Sequence, residues 1–341
     1  MFDLNILLSK EFDFPVIVVG NITVGGTGKT PHVEYLVKLL KDKKKVAVLS
    51  RGYKRKSKGF VVAKETDNAS AIGDEPRQIK RKFPEVAMAV EANRVKGIQK
   101  LMEGAAGFDP DVIVLDDAYQ HRYVKPGLSI LLVDYNRPLE SDYILPYGRL
   151  RESMYEKKRA NIVIVTKTPR ELKPIDRRII AKDMKLFPYQ SLYFTFLKYG
   201  ELTSVFGTSQ AIKLEELKEK EYKVLLVTGI ANPVPLKEHL QKYVSQIEHL
   251  RFPDHHSYLQ KDVKKIKQVF DGLSSENKII ITTEKDAVRI FDSKAFKDAN
   301  LPICYLPIEV EFLDDDRKDF EQKITSFITN NRPPSILNRG I

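Results

Sequence analysis

The sequence holds one cysteine, Cys304, and no tryptophan. A single thiol excludes an intrachain disulfide and a cysteine-built zinc cluster. Long hydrophobic runs are missing too. The apolar segments last only a few residues each, far short of the ~20 that a membrane-spanning helix needs. The first residues carry no secretory signal pattern. These absences together make the cytoplasm the expected location. There is no internal repeat and no low-complexity segment. Zinc-finger spacing and the aromatic-basic signature of an RNA-recognition sheet are also lacking, so nucleic acid is not an expected partner.

What is present is a globular α/β composition. The chain has 341 residues, 42% hydrophobic and 30% charged, which exceeds the usual single domain and favours two. Its formal charge of +11 is unevenly spread. Basic residues crowd Lys38–Lys58 (KLLKDKKKVAVLSRGYKRKSK), where Asp42 is the one acid. Such a run suits an anionic surface: phospholipid headgroups, nucleic acid or a phosphorylated substrate.

The most informative segment is Gly20–Pro31, GNITVGGTGKTP. The apolar run Pro15–Val19 before it reads as a buried strand. His32–Leu40 after it places Val33, Leu36, Val37 and Leu40 at helical spacing. Strand, glycine-rich turn, Gly-Lys-Thr and helix form the context of a P-loop. Gly25, Gly26 and Gly28 let the backbone approach phosphate oxygens, and the helix N-terminus adds its positive end. The expected nucleotide-binding residues are Thr23, Val24, Gly25, Gly26, Thr27, Gly28, Lys29 and Thr30. Lys29 is expected at the β/γ-phosphates and the Thr30 hydroxyl on Mg²⁺. Thr23 stands where the common pattern has glycine, and Val24 where dimer-prone ATPases carry a signature lysine.

Short apolar strands alternate with amphipathic helices: Val16–Val19, Val46–Leu49, Val112–Leu115, Ile130–Val133 and Ile162–Val165. This rhythm predicts a P-loop NTPase-type, mostly parallel sheet flanked by helices. Tyr193–Phe206 reads as extended linker strands. A second alternation follows, with Val224–Thr228, Ile279–Thr283 and Ile303–Pro307 as strands. The expected organisation is a catalytic domain over 1–194, linker strands over 195–215, a smaller α/β domain over 216–330 and a tail over 331–341.

Other segments carry chemistry. Val112–Asp117 is a buried strand ending in two carboxylates, and ligands of open parallel sheets sit at the carboxyl ends of strands. Asp116 and Asp117 are therefore expected at the P-loop lip as Mg²⁺ ligands. In Asn161–Pro169 a strand runs into Thr-Lys, but Pro169 replaces the carboxylate with which GTP-binding relatives read guanine. ATP is the expected nucleotide. Gly73-Asp-Glu-Pro76 and the group Asp254, His255 and His256 are weak signals when taken singly.

Taken together, the ordered motifs resemble the tetraacyldisaccharide 4′-kinase family of lipid A biosynthesis, over nearly the whole chain. The resemblance runs through Val19–Pro31, Ser50–Tyr53, Gly73–Pro76, Asp116–His121, Gly148–Glu152, Thr228–Pro233, Phe252–His256 and Thr283–Val288. It implies transfer of the γ-phosphoryl of ATP to the 4′-hydroxyl of a tetraacylated glucosamine disaccharide 1-phosphate, peripherally at the cytoplasmic face of the inner membrane. By resemblance, Asp74 is the candidate catalytic base. His256, or alternatively His255, is the residue that supports it. Asp116, Asp117 and Gln120 match the metal and nucleotide segment, Glu152 a further metal-linked acid, and Arg151 a phosphate-facing base. The family usually reads Gly-Phe where this chain has Ala118-Tyr119. Members also carry an apolar N-terminal stretch before the equivalent of Phe2-Asp3. Here the chain starts at Met1: either the start site is misassigned, or the protein docks by its basic run and other surfaces, in which case Lys38–Lys58 is expected to carry much of the docking to an anionic membrane. Two rival readings remain: a membrane- or partner-associated P-loop ATPase switch, and another small-acceptor P-loop enzyme.

Overall fold

Each apolar run noted above forms a strand that is covered on both faces. The structure, a computed structural model, describes residue 2, residues 7–207 and residues 212–331. In chain order the strands are β1 (Lys10–Glu11), β2 (Val16–Gly20), β3 (Val46–Ser50), β4 (Val61–Val62), β5 (Ala87–Val90), β6 (Val112–Asp116), β7 (Val124–Lys125) and β8 (Leu128–Asp134). They continue with β9 (Ile162–Thr166), β10 (Ser191–Tyr199), β11 (Thr203–Ser204), β12 (Lys223–Thr228), β13 (Ile247–Arg251), β14 (Lys278–Thr283), β15 (Ile303–Leu306) and β16 (Ile308–Phe312). The chain divides into two compact units. One holds Met1–Asp67, Ala71–Lys198 and Val310–Ile341; the other holds Asn68–Ser70 and Tyr199–Glu309.

The first unit is built on a nine-stranded sheet in the order β16-β10-β9-β8-β2-β6-β3-β5-β4. From β10 to β5 every neighbouring pair is parallel, and β4 closes the edge antiparallel to β5. Strands β2, β3, β6, β8 and β9 are buried along their whole length. Such strands need helices on both faces. On one face the helix Lys29–Leu40 buries Val33, Leu36, Val37 and Leu40. The other face receives Ile98 and Leu101 of the helix Arg94–Met102. Burying each of these aliphatic side chains contributes about 1.5–3 kcal/mol.

The second unit has the order β11-β15-β14-β12-β13. Strands β15, β14, β12 and β13 are parallel, and β11 is antiparallel to β15. It has its own two apolar layers, one around Leu225, Val227 and Ile266, the other around Val224, Leu226, Leu240 and Ile281 on the opposite face.

Three expectations are redrawn. Residues 310–330 cluster with the first unit, not with 216–309. The reason is packing: β16 lies beside β10, and the helix Asp316–Asn330 buries Phe320, Ile324 and Ile328 in the first unit's core with Tyr193 and Phe312. The stretch expected as linker from 195 begins inside β10, a nine-residue strand paired with β9. Residues 208–211 of that stretch, and 332–341 of the expected tail, lie outside the described residues. Finally, the basic run is not one patch. Lys41–Lys45 precede β3 and Arg51–Lys58 follow it. The buried strand between them spans about 17 Å at ~3.3 Å per residue, so the two halves flank opposite edges of the sheet. No helix among the described residues is long and apolar enough to cross a membrane.

Candidate functional site

Because its strands are parallel, the first sheet presents the carboxyl ends of β2, β3, β6, β8 and β9 on one edge, the edge where open α/β sheets bind ligands. The phosphate loop leaves β2 there. Gly25 (φ 105°) and Gly28 (φ 87°) take the left-handed backbone that side chains with a Cβ avoid. A Cβ on Gly26 would meet open space. Gly28 caps the helix Lys29–Leu40 without a side-chain hydrogen bond, so the first N–H groups of that helix remain available to an anion.

The loop is held from several sides. The Val24 N–H donates to the Arg149 carbonyl at 2.8 Å, and the Arg151 N–H donates to the Ile22 carbonyl at 2.8 Å. Val24 therefore shapes the loop rather than offering its amide to a phosphate. Asn21 Nδ2 donates to Thr27 Oγ1 at 2.9 Å, and the Thr166 hydroxyl donates to the Thr27 carbonyl at 2.9 Å. Lys167 Nζ bonds the Gly26 carbonyl and, at 2.7 Å, the Asp134 carboxylate. His32 Nδ1 lies 2.7 Å from the Gly28 carbonyl. A carbonyl can only accept, so this nitrogen carries the proton. Burial pushes the His32 pKa down to about 4, opposed by that bond; the ring stays neutral.

Asp116 ends β6, is buried, and accepts from the Ser50 hydroxyl at 3.0 Å. Burial, then the neighbouring Asp117 and Glu75 charges, raise its pKa to about 6 against the pull of Lys29. Asp117 follows at φ 47°. Its Oδ1 is enclosed and has no hydrogen-bond partner among the described residues, 3.6 Å from Lys29 Nζ and 3.6 Å from Arg151 Nη1. An enclosed anionic oxygen facing two cations beside a phosphate loop fits a site for a metal-bound polyphosphate. Among the described residues no three His, Cys, Asp or Glu side chains form a ready cage. Mg²⁺ is usually held by one or two carboxylates plus substrate phosphates, which matches this donor set.

Gln120 Nε2 donates to the Asn21 carbonyl at 2.6 Å and to Glu152 at 3.3 Å. Arg159 grips Glu152 and also the Tyr119 carbonyl. Glu152 thus sits at the end of an ion pair behind the loop. Asp74 opens the helix Asp74–Lys82 after Gly73 (φ 99°). A Cβ on Gly73 would lie 3.2 Å from Gly52 Cα, so Gly73-Asp-Glu-Pro76 packs backbone to backbone on Arg51-Gly-Tyr53. This contact sets Asp74 on the same edge as Ser50 and Asp116.

In the second unit the motif residues also gather at carboxyl ends of strands. Asp286 is fully buried. It accepts from the Gly229 N–H at 2.8 Å, the Thr283 hydroxyl at 2.7 Å and Arg289 at 3.0 Å. His255 (φ 59°) has Lys285 Nζ 3.0 Å from its Nε2 and Arg289 Nη2 3.3 Å from its Nδ1. His256 differs: its Nε2 lies 3.0 Å from the Asp262 carboxylate, its ring stacks on Phe252, and its Nδ1 makes no hydrogen bond among the described residues.

Sequence reasoning missed Ser50, Lys167 and Arg159 as supports. Lys167 was visible only as part of Thr-Lys at the end of a strand. Its reach to the Gly26 carbonyl depends on β9 and β2 lying on either side of β8.

The family model described as Tetraacyldisaccharide-1-P 4′-kinase matches residues 1–329. A relative from Phocaeicola vulgatus named tetraacyldisaccharide 4′-kinase is 51% identical over 332 residues, covering 97% of this chain and 90% of its own length. One of the same name from Flavobacterium johnsoniae is 45% identical, covering 98% and 93%. The crystal structure of LpxK from Aquifex aeolicus in complex with ATP superposes with a TM-score of 0.73 at 29% identity, covering 96% of this chain and 92% of that one.

Proposed function

The chain belongs to the tetraacyldisaccharide-1-P 4′-kinase family, and from that premise we propose that it moves the γ-phosphoryl group of ATP onto the 4′-hydroxyl of an acylated glucosamine disaccharide 1-phosphate. The observation that carries the reading is Asp117 Oδ1, enclosed between Lys29 and Arg151 beside the phosphate loop and without a hydrogen bond among the described residues.

The loop amides and Lys29 hold the triphosphate. Thr30, Asp116 and Asp117 are the residues that would hold Mg²⁺, which supplies charge neutralisation at the β/γ-oxygens. Arg151, 3.6 Å from Asp117, shifts from that carboxylate toward the phosphates. A sugar hydroxyl is a poor nucleophile at neutral pH, so a base contributes, typically by 10²–10⁴-fold. Asp74 takes the hydroxyl proton as the oxygen attacks phosphorus and the bond to the ADP oxygen breaks. His256 is favoured over His255 as its support. Asp262 holds one of its nitrogens and leaves Nδ1 open, whereas His255 already meets two cationic side chains. The acceptor is a lipid, so the enzyme works peripherally at the cytoplasmic face of the inner membrane.

The test is transfer of labelled γ-phosphate from ATP to the acylated disaccharide 1-phosphate in detergent micelles. Label is expected in the lipid fraction. Label released only as inorganic phosphate would overturn the assignment.

A further inference from the structure

We propose that the loop Asp142–Gly148 is the part of the first unit that enters the lipid surface, its apolar tip resting among acyl chains and headgroups of an anionic membrane. This rests on the acceptor being a membrane lipid.

The tip is unusually apolar for a surface loop. Tyr143 is 72% exposed, Ile144 51%, Leu145 49% and Tyr147 93%. Single exposed apolar residues are ordinary on a protein surface, but four within five positions of one loop are not. Nor can these side chains easily fold away. The Leu150 N–H donates to the Tyr143 carbonyl and the Leu145 N–H to the Leu150 carbonyl, both at 2.9 Å. Asp142 Oδ1 accepts from the N–H groups of Tyr143 at 2.8 Å and Arg149 at 2.9 Å. Gly148 leaves no room for a Cβ, which would lie 2.2 Å from the Tyr143 carbonyl oxygen. The loop is a closed structure that holds its apolar tip out in water.

Its stem is part of the phosphate site. Leu150 is buried and bridges Thr23, and the Arg149 carbonyl accepts the Val24 N–H. Tyr147 is only three residues from Leu150, at most about 11 Å, and the Leu150–Thr23 bridge adds about 5 Å, so the tip lies within about 16 Å of the start of the phosphate loop. An acceptor whose hydroxyl must reach the γ-phosphate while its acyl chains stay in hydrocarbon needs this proximity.

Charge points to an anionic bilayer rather than a protein face. Arg149 at the stem is exposed. Arg51, Lys54, Lys56 and Lys58 follow the carboxyl end of β3, on the same sheet edge as the loop, which follows the carboxyl end of β8. Three strand spacings separate β8 from β3, about 14 Å. Tyrosine with aliphatic residues, flanked by cations, is the composition that lipid-water boundaries favour.

The chain has no tryptophan, so Tyr147→Trp installs a lone reporter. Vesicles carrying roughly one anionic lipid in five, with neither ATP nor acceptor lipid, should shift its emission to the blue and expose it to quenching by brominated lipids. In sedimentation with the same vesicles, Ile144→Asp with Leu145→Asp should lower the partition coefficient by on the order of a hundredfold. ATP binding should be unchanged in that variant, which shows that the phosphate loop is intact. Unchanged partitioning, or no blue shift on adding vesicles, overturns the proposal. A blue shift that grows with protein concentration without vesicles also overturns it, because a second copy then covers the tip. Since acceptor and ATP are absent, a failure of lipid phosphorylation alone would count against the kinase reading and leave this result standing.

Discussion

Replacing Lys29 with alanine separates the phosphate-loop account from a merely structural one. Among the described residues Lys29 Nζ has one ionic partner, Asp117 at 3.6 Å, and that carboxylate side chain is 37% exposed. An ion pair of that exposure contributes about 0–1 kcal/mol to stability. Lys29 is the first residue of its helix, where alanine is well tolerated. The fold should therefore lose at most about 1 kcal/mol, a few degrees in melting temperature. The chemical loss is larger. Removing one preorganised charge aimed at developing transition-state charge costs about 2.7–4 kcal/mol, or 10²–10³-fold in kcat. Lys29→Ala should unfold within a few degrees of the wild type in calorimetry while phosphoryl transfer drops by that factor. A near-wild-type rate would refute the assignment of Lys29 to the triphosphate. A large fall in stability would show that the pair with Asp117 does more for the fold than its exposure suggests.

Three further outcomes are expected. ATP should outcompete GTP as phosphoryl donor, because Pro169 stands where a guanine-reading carboxylate would be; equal use of GTP in a competition assay would contradict this. Asp116, raised to about 6 by burial and its acidic neighbours, takes up a proton in the folded state that the unfolded chain binds only near its ordinary value of 3.8. The stability it adds is full below that lower value and is lost as pH rises through about 6. Mg·ATP needs the carboxylate, so its affinity should weaken below about pH 6 in calorimetry, by up to tenfold per unit. A dependence that persists unchanged in Asp116→Asn would belong to the nucleotide's own phosphate. Last, reversing Arg51, Lys54 and Lys56 to Glu should weaken binding to anionic vesicles far more than reversing Lys43, Lys44 and Lys45, since only the first set follows the carboxyl end of β3. Equal losses would mean that the sheet edge does not set the docking face.

How much was legible depended on whether a signal was local. The run Val16–Val19 and the glycines after it specify a strand and a turn by themselves, and both formed as read. Asp116 and Asp117 could be placed because a buried strand must deliver its last residues to an edge. The helix Asp316–Asn330 could not be assigned to a sheet from its apolar spacing: Phe320, Ile324 and Ile328 would suit either core, and only the pairing of β16 with β10 decides. The basic run looked continuous because charge was counted along the chain, while the buried strand β3 divides it in space. Ser50, Lys167 and Arg159 were missed because each acts on a residue distant in sequence: Asp116, Gly26 and the Tyr119 carbonyl. The resemblance favoured His256 with His255 as the alternative. Their partners differ, Asp262 for His256 and Lys285 with Arg289 for His255.

The central proposal is that Asp74 acts as the base on the acceptor hydroxyl and that His256 supports it. The direct measurement is kcat for Asp74→Ala, His256→Ala and the double variant, at saturating ATP and acceptor. The account predicts that Asp74→Ala lowers kcat far more than it raises the KM for ATP, that His256→Ala is milder, and that the double variant loses little more than Asp74→Ala alone. Fully additive losses, or a His256→Ala rate equal to the wild type, would contradict it.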